Sequence, residues 1–330
     1  MKRRWAGTFL LFLMLAITVA AASCSKPVTL TPYVAEEFPI CTDSAWQADA
    51  AISGDIVVWN DQRNGNHDIY GYDLATGTEF PICTNQAEQE DTAISGDIVV
   101  WEDERNGNND IYGYNLSNDT EFPICIDPAE QLEPGISGYI VIWSDLRNGN
   151  GDIYGYNIAT ETEFAICTTP DTQMWPSISE DIVVWVDHRN GIADIYGYNL
   201  STGTEFPICT DPGDQTAPAI SGDIVVWEDE RIGSYDIYGY DLATNTEFPI
   251  CTNPADQLAP AISEDIVVWT DVRNGNLDIY GYNLSTGEEF AICTKQASQI
   301  SPAISGDIVV WYDGRNGNYD IYGARLSFEE

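Results

Sequence analysis

The sequence predicts an all-β fold: a seven-bladed β-propeller of four-stranded blades, closed when the N-terminal strand completes the last blade. Three observations predict it. Trp59, Trp101, Trp143, Trp185, Trp227, Trp269 and Trp311 recur at an unbroken interval of 42 residues. The unit around each is dominated by β-branched and aromatic residues, and a period of about 40–45 residues with that composition is typical of four-stranded propeller blades. One strand is spare at the start of the chain and one is missing from the last unit.

The first residues stand outside the repeat. Lys2, Arg3 and Arg4 precede an apolar run from Thr8 to Ala22, the pattern of a secretory signal and too short to span a membrane. Ala20-Ala21-Ala22 fits a cleavage site before Ser23, which places a signal peptide at 1–23. Ala21-Ala22-Ser23-Cys24 also resembles a lipobox, although the usual leucine is absent, so Cys24 is a candidate lipid anchor. Residues 24–35 then form a tether, 36–326 the propeller and 327–330 a tail. The expected location is extracytoplasmic, at the cell surface or in the periplasm.

The elements can be read from the first unit. Glu37-Phe38-Pro39-Ile40-Cys41 is a fourth strand with no blade before it. A first strand ends at Ala51-Ile52-Ser53. Ile56-Val57-Val58-Trp59 is apolar throughout, as expected of a strand covered on both faces. Asp68 to Leu74 is the third strand. Thr78 to Cys83 is the fourth, and its Pro81 suits an outer edge where a missing N–H costs little. The seventh unit stops after its third strand, at Leu326.

The residues reached so far resemble the repeats of TolB-type propellers. Pro218, Ser221, Arg273-Asn274-Gly275-Asn276 and Asp278-Ile279-Tyr280 stand where those repeats carry a Pro, a Ser and an Arg-Asp-Gly-Asn-x-Asp-Ile-Tyr signature. The chain is also similar to tandem propeller repeats of archaeal cell-surface proteins. The resemblance implies the fold, an extracytoplasmic compartment and a preference for protein binding. TolB itself carries an α/β domain before a propeller that binds a peptidoglycan-associated lipoprotein. Only about a dozen residues separate the signal from the propeller here, so that transport role is not carried over.

Charge narrows the function classes. The chain has 53 acidic and 13 basic residues, a net charge of −40, and loss of the signal would remove three of those cations. Such a surface repels nucleic acid and anionic membranes. Cys41, Cys83, Cys125, Cys167, Cys209, Cys251 and Cys293 are copies of one position around a ring, too far apart to pair, and are expected to be reduced, small buried apolar groups.

Most motifs with chemical potential are repeated, and a residue present seven times builds the repeat. Asp at Trp+2, Arg at Trp+4 and Asp at Trp+9 occur in every unit and are expected to form a turn in which the arginine bridges one or both aspartates. Glu102, Glu104 and Asn106 before Gly107 imitate a calcium loop, but the arginine places a cation inside it. Glu228-Asp229-Glu230 offers paired carboxylates, which are expected to be solvated and so to have no cause for a raised pKa. His67 and His188 are too few for a three-histidine metal centre. Gln47, Gln89, Gln131, Gln173, Gln215, Gln257 and Gln299 form a ring near the channel mouth, open to a ligand or, more simply, tying backbone between blades. Asn115, Asn118, Asn199 and Asn283 are glycosylation acceptors on the opposite face.

Binding is expected where the units differ, on the face that holds the Arg loops. The candidates are Trp46, Trp175, Met174, Leu132, Leu258, Glu102, Glu104, Glu228, Glu230 and His188. The expected function is a non-catalytic interaction scaffold, a monomer without cofactor or metal, whose partner is an envelope or extracellular protein or a glycan. The alternatives are a carbohydrate or cell-wall polymer binder and, third, a polysaccharide lyase or hydrolase. A deep pocket where unrepeated polar residues converge would mark the third.

Overall fold

The computed structural model describes residues 34–327. Within them, 28 strands form seven four-stranded antiparallel sheets. The first blade runs through β2 (Gln47–Ser53), β3 (Ile56–Asp61), β4 (Asp68–Asp73) and β5 (Thr78–Cys83). The last sheet joins β26 (Gln299–Ser305), β27 (Ile308–Asp313) and β28 (Asp320–Ser327) to β1 (Val34–Cys41). Phe38 pairs with Gly323 there, so the N-terminal strand supplies the missing outer strand of the seventh blade. The signal and the Cys24 anchor lie outside the described residues, and β1 starts two residues inside the expected tether.

Apolar packing lies between blades. Val58, Ile69, Ile82 and Cys83 of the first blade meet Ile94, Val99 and Trp101 of the second, and corresponding clusters recur around the ring. All seven repeated tryptophans are fully buried. Burying a side chain of this size stabilises by about 3 kcal/mol relative to exposure, which makes the tryptophans the largest single contributors at each interface.

A polar lock lies beside each tryptophan. The Trp59 indole Nε1 donates to Asp61 Oδ2 at 3.0 Å, and Arg63 grips both oxygens of the same carboxylate at 2.9 and 2.6 Å. Arg63 Nη1 also reaches Glu79 Oε1 at 2.5 Å, and the guanidinium lies 4.1 Å over the Tyr70 ring. Its Nη2 meets Cys41 Sγ at 3.1 Å, across the seam where the ring closes. The cysteines are free and buried, but they are not simply apolar filler, because each sulfur accepts from the arginine of the next blade. Burial pushes the Cys41 thiol up to about 12.

The arginine bridges only the first of its two expected aspartates. Asp68 instead accepts the side-chain amides of Asn64 at 2.6 Å and Asn66 at 2.9 Å. In the same turn, Gly65 has φ +100°, so the glycine rather than the asparagine takes the left-handed conformation. The ring of glutamines is fully buried and does not face the channel mouth. Gln89 Nε2 ties its own connection at Ala87 O, at 2.6 Å, and its backbone N donates to His67 O of the preceding blade.

One feature recurs that the sequence does not announce. The inner strands break register after their second residue, as between Ala48 and Ala51. The residue two after each glutamine has positive φ, from +47° at Asp91 to +59° at Glu133, and none of the seven is glycine. Each such bulge turns one side chain toward the axis of the ring.

The lock sets a clear expectation for stability. Asp145 is fully buried and Glu163 about one-third exposed at the two ends of Arg147. Arg147→Ala strands the buried carboxylate and should cost about 3–5 kcal/mol. Glu163→Ala should cost under about 1 kcal/mol. Denaturant unfolding of the two variants measures the difference, and equal losses would refute this account of the lock.

Candidate functional site

The inner strands surround an axial cavity of about 900 Å³. The seven bulge residues alternate around its wall in chain order: Asp49, Asp91, Glu133, Trp175, Ala217, Ala259 and Ser301. Three carboxylates occupy one side and small residues the other, with Trp175 between them. Thr216, Glu228 and Tyr235 also line the cavity, and among the described residues no lysine or arginine does.

A second layer of side chains supports this wall from the residue after each repeated tryptophan. Asn60 Nδ2 donates to Asp49 Oδ2 at 2.7 Å, leaving Oδ1 free of that bond. Glu102 Oε1 accepts the backbone N–H of Glu133 at 2.6 Å, and Oε2 accepts Asn109 Nδ2 at 2.6 Å. Glu133 Oε2 accepts from Ser144 Oγ at 2.7 Å and from the Trp175 N–H at 2.6 Å. Glu228 Oε1 accepts the Ala259 N–H at 2.6 Å, while Thr216 Oγ1 donates to Oε2 at 3.0 Å. Each link crosses to the next blade or ties neighbouring strands of its own blade. These side chains therefore hold the bulges in place as well as charging the wall.

Burial is the leading cause of every carboxyl shift here, and every shift is upward. Glu102 is pushed up to about 9 by desolvation, with Asp91 beside it adding to the rise. Asp91, also raised by burial, faces the cavity beside it. Asp49 and Glu133 are raised by burial and held back by the donors just named. Glu228 is raised by burial, against the Ala259 and Thr216 bonds. Two carboxyls whose environments separate their protonation states are what acid–base catalysis requires.

This corrects the expectation that the acidic runs are solvated. Glu228 is the penultimate residue of β19 (Ile224–Asp229) and lines the cavity, and Asp229 is buried against Arg231. Of that trio only Glu230 is exposed. Glu102 is likewise buried, in β7 (Ile98–Asp103), so it cannot join Glu104 and Asn106 in a calcium loop. Asn106 is committed to Asp110 instead.

The remaining candidates are scattered. Trp175, 44% exposed, stands in the cavity wall with Glu228, and Glu102 lies behind it. Trp46, 46% exposed, sits outside the lining against His67 and Tyr319. Met174 packs on an inter-blade core cluster. Leu132 and Leu258 are half-buried on inner strands, Glu104 is exposed on its loop, and His188 is half-buried on another. Asp49, Asp91, Glu133, Tyr235 and Ser301 were missed. For all but Tyr235 the signal was present: at the second residue after each glutamine, the chemistry changes from acid to aromatic to small around the ring.

No family model matches the chain, and no curated protein matches it. Solved structures do. An oligogalacturonate lyase from Vibrio parahaemolyticus superimposes with a TM-score of 0.68 at 13% identity, over 89% of this chain and 97% of its own. A puromycin hydrolase gives 0.68 at 11%, over 91% of this chain and 57% of the hydrolase. TolB from Acinetobacter baumannii gives 0.51 at 14%, over 85% and 79%. The chain is thus a seven-bladed β-propeller, similar in fold to these structures. At these identities the likeness carries the fold and not the chemistry. It does overturn the expectation of a non-catalytic scaffold, which rested on a propeller built from repeats: propellers of this shape include a lyase and a hydrolase.

Glu228 offers a test of the buried electrostatics. Its folded-state pKa lies above its unfolded value, so its contribution to stability is fully present below the unfolded value, near pH 4.5, and is lost as pH rises through the folded one. Glu228→Gln keeps an oxygen for the Ala259 N–H and removes the charge. The variant should melt close to wild type in acid and progressively above it toward neutral and alkaline pH. A constant gap across that range would show that the carboxyl is not desolvated.

Proposed function

We propose that the chain is an exported propeller that hydrolyses a neutral or cationic glycan in its axial cavity. One observation carries this: four carboxyls at positions whose chemistry varies from blade to blade, Asp49, Asp91, Glu102 and Glu133, converge on one side of a cavity whose frame is otherwise sevenfold. That is the mark set out above for catalysis. Trp175 supplies an apolar face against which a sugar ring can stack. The signal-like residues 1–23 support an extracytoplasmic location, with Cys24 as a lipid anchor, and the archaeal surface-repeat likeness fits the same compartment.

The roles follow from the hydrogen bonds. Asp91, on the cavity wall and raised by burial, gives its proton to the glycosidic oxygen as the bond from that oxygen to the anomeric carbon breaks, and the neighbouring Glu102 keeps the pair in a protonated state. Asp49, with one oxygen fixed by Asn60 and the other free, takes a proton from the attacking water. Glu133 takes the Ser144 hydroxyl and the Trp175 N–H on one oxygen, Oε2, and through that oxygen ties its own strand pair to the next blade's bulge, so it positions the wall. Elimination from a uronate is disfavoured, because among the described residues no lysine or arginine lines the cavity to offset the substrate's carboxylate or a developing enolate.

Purified protein should release reducing ends from neutral or amino-sugar oligosaccharides and leave uronate oligomers intact. Asp91→Asn should lower kcat by about 10²-fold or more. Absence of turnover on such a panel, or an Asp91→Asn variant as fast as wild type, would remove this function. Unsaturated uronate products would replace hydrolysis with elimination.

A further inference from the structure

At the junction of the first and second blades, three ligating atoms converge outside the cavity wall. His67 Nδ1 lies 2.5 Å from Glu90 Oε1 and 3.3 Å from Glu88 Oε2. All three atoms fall within 4.8 Å of one another. His67 comes from the loop between β3 and β4, Glu88 from the connection into β6 (Gln89–Ser95), and Glu90 from that strand. The corresponding places in the next junction hold Asn109, Glu130 and Leu132, and in the one after it Gly151, Thr172 and Met174. The combination occurs once in the ring.

We propose that His67, Glu88 and Glu90 form a three-ligand site for a divalent transition-metal ion, with Zn²⁺ as the probe that defines it. An imidazole nitrogen and two carboxylate oxygens match the donors of zinc sites that keep a fourth position open. Ligand atoms about 2.0–2.2 Å from a tetrahedral ion stand roughly 3.3 Å apart. The His67–Glu88 separation already has that value, and Glu90, with its side chain 45% exposed, is free to withdraw by the remaining fraction of an ångström.

The imidazole is held as a ligand needs to be. The Gln62 side-chain amide meets the other ring nitrogen, Nε2, through its nitrogen; a half-turn of that amide presents its oxygen to an Nε2–H and leaves the Nδ1 lone pair toward the carboxylates. Trp46 packs edge-on against the ring, with centroids 6.4 Å apart. Glu88 is fixed by the His67 backbone N–H at 2.8 Å. No lysine or arginine pairs with Glu88 or Glu90 among the described residues, so two carboxylates share a single imidazole in a chain of net charge −40. Cys209, Asp211 and Glu247 make the contrast. They also converge, but Arg231 Nη1 binds both acids, at 2.7 and 2.6 Å, and its Nη2 meets the sulfur at 3.2 Å. There a cation is built in.

Calcium is a poor fit, since it asks for six to eight oxygens. Isothermal titration calorimetry of the metal-stripped protein with Zn²⁺ should show one site that a large excess of Ca²⁺ does not displace. His67→Ala should weaken it at least ten-fold, and so should Glu90→Gln, a change at an exposed side chain that leaves the fold intact. Glu130→Gln, at the matching place one blade on, should leave it unchanged. Thermal melts of each variant check folding. Binding that is undiminished in both His67→Ala and Glu90→Gln, or no stoichiometric binding by wild type, would overturn the site. The readout is metal binding alone, so its failure is separate from any failure of glycan hydrolysis.

Discussion

A carboxylate removed from solvent, two residues after each repeated tryptophan, cannot stand unpaired in a low-dielectric interior. The Arg–Asp pair that answers it organises each blade and joins it to the next. The arginine is drawn in by two charge-assisted bonds, and its remaining N–H groups then reach the outer-strand glutamate and the sulfur of the preceding blade. The indole completes the aspartate's bonding from the inter-blade core. Ring closure uses the same parts: Arg315 takes Glu37 of the N-terminal strand, and Cys41 of that strand takes Arg63. The seam is therefore locked by the same residue types as the other junctions, although Arg315 holds Asp313 through Nη2 and its backbone N–H and not through Nε, and the N-terminal strand is held by more than its ladder.

This frame was legible because repetition makes it so. The 42-residue interval, the apolar second strand and the outer-edge proline each have one physical reading, and the spare strand forces the closure. The lock was half legible. The pattern named Arg and both aspartates, yet sequence spacing cannot tell which carboxylate the guanidinium reaches when asparagines compete for the other. The bulge was illegible for a different reason. Left-handed backbone is recognised by Gly or Asn, and here Asp, Glu, Trp, Ala and Ser adopt it under tertiary constraint. Without the bulge, Asp49, Asp91 and Glu133 read as ordinary residues of an inner strand.

The same constraint explains why burial of the acids was misjudged. Glu102 and Glu228 follow the repeated tryptophan and sit next to a polar turn, which suggests solvent. In the ring that position backs onto the next blade's bulge, whose freed N–H needs an acceptor. Thr270 meets the need at Ser301 with a hydroxyl, at 3.0 Å, and no charge. An ionisable acceptor is thus not required by the fold, and glutamate there adds a desolvated carboxyl that threonine does not.

That comparison separates frame from chemistry at the cavity. Strain at the bulge is common to all blades, including those with Ala217 and Ala259, so it cannot be explained by a catalytic side chain. A left-handed non-glycine residue costs about 1–2 kcal/mol, and glycine would relieve it only by adding freedom to the unfolded chain. The bulge belongs to the architecture: it aims seven side chains at the axis whatever they are. Acids on three neighbouring blades and small residues on three others then give the cavity an acidic side and a roomy one. A ring built from one repeat acquires direction through a single position, and the direction is chemical before it is geometric.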